Sequence, residues 1–193
     1  LNKMNTDPHR FFIALPVDDE KSVQSLMGVS RYLNKNESFL KPVPVNNYHI
    51  TIKFFGSLDF APAESLLNVF SSLNHLKKVE YKIEGIGAFP SIDNPSVIWA
   101  GLKCDEKPLN EIVQSIEDLA LSLGFTPEKR KFVPHLTLAR VKKEKTVPPE
   151  FKNYLIKEKH SLFSSSVFRE LVLFESLLKR TGAEYKKVRV IKL

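Results

Sequence analysis

Apolar positions along the chain follow two rhythms, one of period two and one of period three to four. Phe11–Val17 (FFIALPV) is short and continuously apolar, which predicts a buried strand. Asp18 and Asp19 then precede Val23, Leu26, Met27 and Leu33 at helical spacing, with the acidic pair where a helix dipole favours it. Pro42 and Pro44 mark an extended turn, and Tyr48–Phe55 reads as a strand. A second helix opens near Pro62 and aligns Leu66, Leu67, Phe70, Leu73 and Leu76.

Val79, Tyr81 and Ile83 alternate with Glu80, Lys82 and Glu84, predicting a strand over Val79–Phe89; Glu84 and Asp105 read as solvated carboxylates. VIWAGL (Val97–Leu102) is a further strand beyond the turn-rich Pro90–Pro95. The third helix is the sharpest element: Leu109, Ile112, Val113, Ile116, Leu119, Ala120 and Leu123 trace one face, and Gly124 ends it. Pro134 leads into the strand His135–Val141, followed by a basic loop over Lys142–Pro149 and a short helix over Phe151–Glu158. Phe163–Leu178 reads as one strand-like segment, and Glu184–Leu193 as the last strand. Strands and helices in this order predict an α+β protein. A length of 193 residues suits one domain, or two small lobes sharing one fold.

Charge adds a direction to this picture. There are 29 Lys and Arg against 22 Asp and Glu, a net +7, which favours anionic partners such as nucleic acid or nucleotides. Cys104 is the only cysteine, so no internal disulfide forms, and a reducing compartment is expected. No apolar run reaches the roughly 20 residues of a membrane helix. The expectation is a cytoplasmic protein with no membrane association, a monomer without an obligate protein partner. Residues 1–9 are polar and are expected to form a flexible N-terminal segment.

One short phrase occurs twice. HITIKFFG begins at His49 and HLTLARVK at His135. On a strand, alternation puts His49, Thr51 and Lys53 on one face, with Ile50, Ile52 and Phe54 on the other. It likewise puts His135 and Thr137 opposite Leu136 and Leu138. A single His-x-Thr on a strand is most often structural, since Thr suits strands and a lone His finds a local hydrogen bond. Two copies by chance are roughly a one-in-a-hundred event. If the strands meet, two imidazoles and two hydroxyls converge. Imidazole gives and takes protons near neutral pH, and Thr hydroxyls suit phosphate oxygens. The group fits a metal-free phosphodiesterase. Neither copy has zinc-hydrolase spacing, and no glycine-rich phosphate loop is present. His9, His75 and His160 lack the motif.

The two phrases together resemble the paired motifs of the two-histidine (2H) phosphoesterase superfamily, and within it the LigT-like RNA 2′,3′-cyclic phosphodiesterases, also called 2′-5′ RNA ligases. The likeness extends to RFFIALPV, AFPSIDNPSVIWAGL, KRKFVPHLTLARVK and LVLFESLLKRTGAEYKKV. It implies a single bilobal domain over 1–193, with two antiparallel sheets related by a pseudo-twofold, helices outside and a cleft between. It implies hydrolysis of RNA 2′,3′-cyclic phosphate ends, or of small nucleotides bearing them, to 2′-phosphates without a metal or cofactor. His49 would be the proton donor and His135 the acceptor, with Thr51 and Thr137 on the phosphate. Arg140 matches an arginine of the substrate site, although strict alternation puts it opposite His135 unless a bulge intervenes. Lys53 has the right face but reads as a rim charge. Phe12, Trp99 and Phe132 could stack on a base, with a core role the more ordinary reading. The same residues would serve an ATP-independent 2′-5′ ligase or a 2′-5′ phosphodiesterase. A non-catalytic RNA-binding module, carried by Lys129–Lys131 and Lys142–Lys145, is the alternative of another class.

Overall fold

A computed structural model describes residues 9–179 and 182–193. The expected N-terminal segment lies outside the described residues except at its end, where His9 opens the first strand. The elements are β1 (His9–Pro16), α1 (Glu20–Lys35), β2 (Leu40–Pro42), β3 (His49–Leu58), α2 (Phe60–Val69), β4 (Val79–Pro90), β5 (Pro95–Cys104), α3 (Glu106–Ser122), β6 (His135–Val141), α4 (Pro149–Lys157), β7 (Leu162–Phe168), β8 (Glu170–Lys179) and β9 (Gly182–Lys192). They form two antiparallel sheets, one ordered β3-β1-β8-β9 and the other β2-β6-β5-β4-β7. The expected α+β class and bilobal arrangement are what the structure has.

The helices start and stop where their chemistry requires. Asp19 caps α1, its carboxylate accepting the Ser22 N–H at 3.0 Å. Gly124 follows α3 with φ +82°, a left-handed conformation that a side chain would strain, and the Phe125 N–H returns to the Ala120 carbonyl at 3.0 Å. The helices cross between sheets: α1, which follows a strand of the first sheet, packs on β7 and β2 of the second, and α3 packs on β3 of the first. Ser22 on α1 bonds both Tyr81 (2.9 Å) and Ser164 (3.1 Å) of the second sheet. Tyr81 in turn donates to Asp19 at 2.6 Å. These buried polar groups are therefore satisfied.

One continuous apolar core runs under both sheets, including Ile13, Ile50, Ile83, Ile98, Ile112, Leu136 and Leu138. Burying each such side chain contributes roughly 1.5–3 kcal/mol. The opposite face of the first sheet carries a smaller cluster of Phe12, Ala14, Val172 and Phe174, packed against Tyr185. That face looks into the space between the sheets, so the first sheet is apolar on both sides. Its outer side is filled by helices and its inner side carries a site.

Three expectations are corrected. Phe163–Leu178 is not one strand: β7 and β8 part at Arg169 and belong to different sheets. Period-two alternation on both sides of the break hides it. The turn marked by Pro42 and Pro44 is entered through a three-residue strand, β2, which pairs with the end of β6; its proline sits on an edge strand, where its own missing N–H is tolerated. Glu84 is not simply solvated, since its carboxylate accepts from Lys103 at 2.7 Å.

Candidate active site

The two phrases become β3 and β6, and these two strands approach each other across the inter-sheet space. Each approaches its histidine through a proline: Pro44 before a 3-10 turn (Val45–Asn47), and Pro134 directly before His135. Local geometry then sets both rings identically. His49 Nδ1 lies 2.7 Å from the Asn47 carbonyl, and His135 Nδ1 lies 2.8 Å from the Val133 carbonyl. A carbonyl only accepts, so each Nδ1 carries the proton. In each neutral ring Nε2 is then the basic nitrogen.

Neither strand keeps strict alternation. In β3, Ala14 pairs with Thr51 but Ile13 pairs with Lys53, so Ile52 is an extra residue. In β6, Trp99 pairs with Thr137 but Ile98 pairs with Ala139, so Leu138 is extra. Directly opposed residues share a face, and each bulge therefore reverses the faces of the residues that follow it, in β3 as far as a second irregularity at Phe55. The consequence is equal in the two lobes. Arg140 joins His135 and Thr137 on the cleft face, as a bulge would require. Phe54, expected on the far side with Ile50, joins His49 and Thr51 instead. Lys53, expected beside them, turns inward.

Lys53 is only 9% exposed. Its ammonium lies 2.9 and 2.8 Å from the two oxygens of Glu117 on α3 and 3.4 Å from the Thr126 carbonyl. Glu117 also accepts the Glu128 N–H at 3.3 Å. This pair ties the loop that leads to His135 onto α3 and β3. It is a structural cation, not a rim charge.

The centre of the site is a cleft of about 160 Å³ lined by His49, Thr51, Thr137, Arg140, Phe54 and Tyr185, among others. His135 shares a larger adjoining groove with Thr51 and Phe54. A second groove continues from the other side past Arg140, Lys41, Lys142, Asn47 and Tyr185. His49, Thr51, Thr137 and Arg140 thus line the central cleft, and His135 lines the groove that shares Thr51 and Phe54 with it. Among the described residues, no three His, Cys, Asp or Glu side chains gather as a metal set would.

Aromatic rings hold both imidazoles. His49 packs tilted on Phe12 at 4.9 Å and edge-on to Tyr185 at 5.3 Å, with Phe174 at 6.0 Å. Phe89 meets His135 edge-on at 5.1 Å and also contacts the Trp99 ring at 5.2 Å. Burial among these rings pushes the His49 pKa down to about 4. The Asn47 carbonyl works in the opposite direction, and repulsion from His135 lowers it further. Phe12, buried under His49, supports the imidazole. Trp99 lies across Gly87, where a Cβ would come within 2.3 Å of its ring. Phe132 lines the His135-side groove. The sequence reading passed over Phe54, Phe89, Phe174, Tyr185 and Asn47. Only Phe54 had a readable signal: it stands five residues after its histidine, as Arg140 does.

A family model described as LigT like Phosphoesterase matches residues 18–99 and 102–185, and each segment holds one copy of the phrase. A protein of Aeropyrum pernix named RNA 2′,3′-cyclic phosphodiesterase is 33% identical over 79% of this chain and 86% of its own. One of the same name from Archaeoglobus fulgidus is 32% identical over 94% of this chain and 98% of its own. Among solved structures, a Thermus thermophilus protein superposes with a TM-score of 0.78 at 23% identity, covering 95% of this chain and 97% of that one. Escherichia coli LigT complexed with 3′-AMP superposes with a TM-score of 0.72 at 20% identity, covering 97% and 99%.

Proposed function

The chain belongs to the LigT-like phosphoesterase family, and from that membership and the chemistry of its cleft we propose that it is an RNA 2′,3′-cyclic phosphodiesterase. It opens a terminal cyclic phosphate to a 2′-phosphate, with His49, His135, Thr51 and Thr137 as the reacting and phosphate-holding groups and no metal or other cofactor. The observation that carries this reading is the matched pair of imidazoles. Each is fixed through Nδ1 by a carbonyl two residues before it, in one cleft with two threonines.

The mechanism follows from those atoms. His135 Nε2 takes a proton from water as the oxygen attacks phosphorus. The bond from phosphorus to O3′ breaks, and His49 delivers a proton to O3′. The Thr51 and Thr137 hydroxyls donate to the non-bridging oxygens, where charge accumulates. Arg140 adds a fixed positive charge at the same end of the cleft. His49 must be charged to act as donor, yet in the empty cleft its pKa is about 4. A cyclic phosphate brings a full negative charge beside the ring and raises that pKa. The proton thus arrives with the substrate, and the free enzyme does not carry a buried charge.

The test is an RNA oligonucleotide ending in a 2′,3′-cyclic phosphate, incubated with EDTA present. The expected product is the 2′-phosphate. His49→Ala and His135→Ala each lose at least a hundredfold in kcat, in keeping with general acid–base contributions of roughly 10²–10⁴. Turnover abolished by EDTA, or unchanged in both variants, refutes the reading.

A further inference from the structure

The groove beyond Arg140 holds about 750 Å³ and meets the central cleft at Val43, Asn47, Arg140 and Tyr185, which line both. Two of these residues also hold His49. Its Nδ1 lies 2.7 Å from the Asn47 carbonyl, and the Tyr185 ring meets it edge-on at 5.3 Å. This groove therefore opens from the His49 side of the cleft, whereas the groove lined by His135 opens from the other.

Lys41 stands in the groove directly opposite Arg140 across the β2–β6 pair, so the two side chains share a face. Both are exposed. Like charges directly opposed on neighbouring strands repel. Among the described residues neither makes a hydrogen bond or ion pair through its side chain, although Glu37 and Glu184 line the same groove. Lys142, the third cation of the lining, donates to the Glu37 carbonyl. Two adjacent cations that no carboxylate answers suit a ligand with two anionic groups in succession.

We propose that this groove takes the RNA strand on the 5′ side of the reacting phosphate, and that Lys41 holds the phosphate joining the terminal nucleoside to the one before it. The assignment rests on the phosphodiesterase reading, in which Arg140 serves the cyclic phosphate and His49 protonates O3′. O3′ belongs to the terminal nucleoside, so that nucleoside lies on the His49 side. The strand then leaves the cleft by the groove that opens there, and Lys41, beside Arg140, meets the next phosphate along. Val43 and Pro44 supply apolar lining for the sugar and base between the two phosphates. Lys41 is thus a specificity residue: it makes the site select the ends of RNA chains over free cyclic mononucleotides.

The probes are 2′,3′-cyclic AMP, with one phosphate, and the dinucleotide ApA ending in a 2′,3′-cyclic phosphate, which adds the linking phosphate. Wild type should show a kcat/KM about tenfold higher on the dinucleotide, chiefly through KM, as one charge-assisted contact provides. That preference should weaken with added salt. Lys41→Ala should remove it and Lys41→Glu should reverse it, while Lys41→Arg keeps it. Because the readout is the ratio of two substrates on the same protein, a fold defect does not imitate it. No preference in wild type, a ratio unaltered in Lys41→Ala, or an equal loss on both substrates would overturn the assignment; the last would put Lys41 on the reacting phosphate with Arg140. If wild type turns over neither substrate, the phosphodiesterase reading fails by itself. Calorimetric titration of 3′-AMP and of ApAp, the dinucleotide ending in a 3′-phosphate, then decides the groove. Tighter binding of ApAp that is lost in Lys41→Ala supports it; no heat, equal affinity for the two ligands, or a gain kept in the variant rejects it.

Discussion

Acidification should destabilise this protein through His49 before any carboxylate contributes. An ordinary histidine titrates at 6.5, and His49 in the folded chain titrates at about 4. The folded value is depressed, so between these limits the unfolded chain binds the proton and the folded chain does not. The stability that the neutral ring permits is complete above pH 6.5. It is lost progressively as pH falls towards 4, and does not change further below that. The difference of about 2.5 on the pH scale corresponds to a full loss of about 3 kcal/mol, of which about 2 kcal/mol is already lost at pH 5. Asp19 and Glu170 have pKa values held below the ordinary carboxylate range, Asp19 by hydrogen bonds from Tyr81 and Ser22 that outweigh its burial, Glu170 first by its bond from Lys192. Their losses begin only at the foot of the window, near the ordinary carboxylate values of 4.5 for Glu170 and 3.8 for Asp19. Urea unfolding, followed through Trp99 (the chain's one tryptophan), measures the effect at pH 7.5, 6 and 5. Wild type should lose about 2 kcal/mol more than His49→Gln between the first and last of these. Saturating inorganic phosphate should shrink that difference by raising the folded-state pKa. Parallel pH dependences for the two proteins would refute the desolvation argument, and with it the account of how the donor acquires its proton.

Lys53→Met strands the largely buried Glu117 carboxylate. It should cost about 3 kcal/mol in chemical denaturation, while Lys53→Met/Glu117→Leu regains most of it; a double variant no better than the single would contradict the pairing. Arg140→Ala should raise KM for a cyclic-phosphate RNA roughly 10- to 100-fold, the value of a charge-assisted hydrogen bond, with a smaller change in kcat. Gly87→Ala drives a methyl into Trp99, whose ring must swing away from Phe89. Overpacking of this kind costs about 1–3 kcal/mol, and the freed Phe89 should lower kcat through His135. A Tm unchanged within a degree would show that the strand relaxes instead.

Much of this architecture is legible because it is local. The period-two run in β4 and the apolar face of α3 with Gly124 at its end need no tertiary information, since backbone geometry alone ties those spacings to a face. The doubled His-x-Thr is equally readable. The carbonyl that holds each ring belongs to the residue two before it, so the motif brings its own orientation. The boundary between β7 and β8 was not readable. Arg169 interrupts neither the polarity pattern nor the strand propensity, and only the choice of partner, β4 or β1, sends the two strands to different sheets.

What the chain determined by itself, then, is which residues could form one site: two histidines and two threonines on two matching strands of a LigT-like phosphoesterase. What tertiary structure alone decided is what stands beside them. The bulges at Ile52 and Leu138 exist because β1 and β5, distant in sequence, impose a register that β3 and β6 meet only by looping residues out. The extra residues Ile52 and Leu138 turn Lys53 into a buried tie, bring Arg140 to the cleft face and open Phe54 to the groove on the His135 side. The depressed pKa of His49 has the same origin. It comes from Phe12, Phe174 and Tyr185 on three other strands, and desolvation depends on everything packed around a ring, which no spacing within one strand can encode.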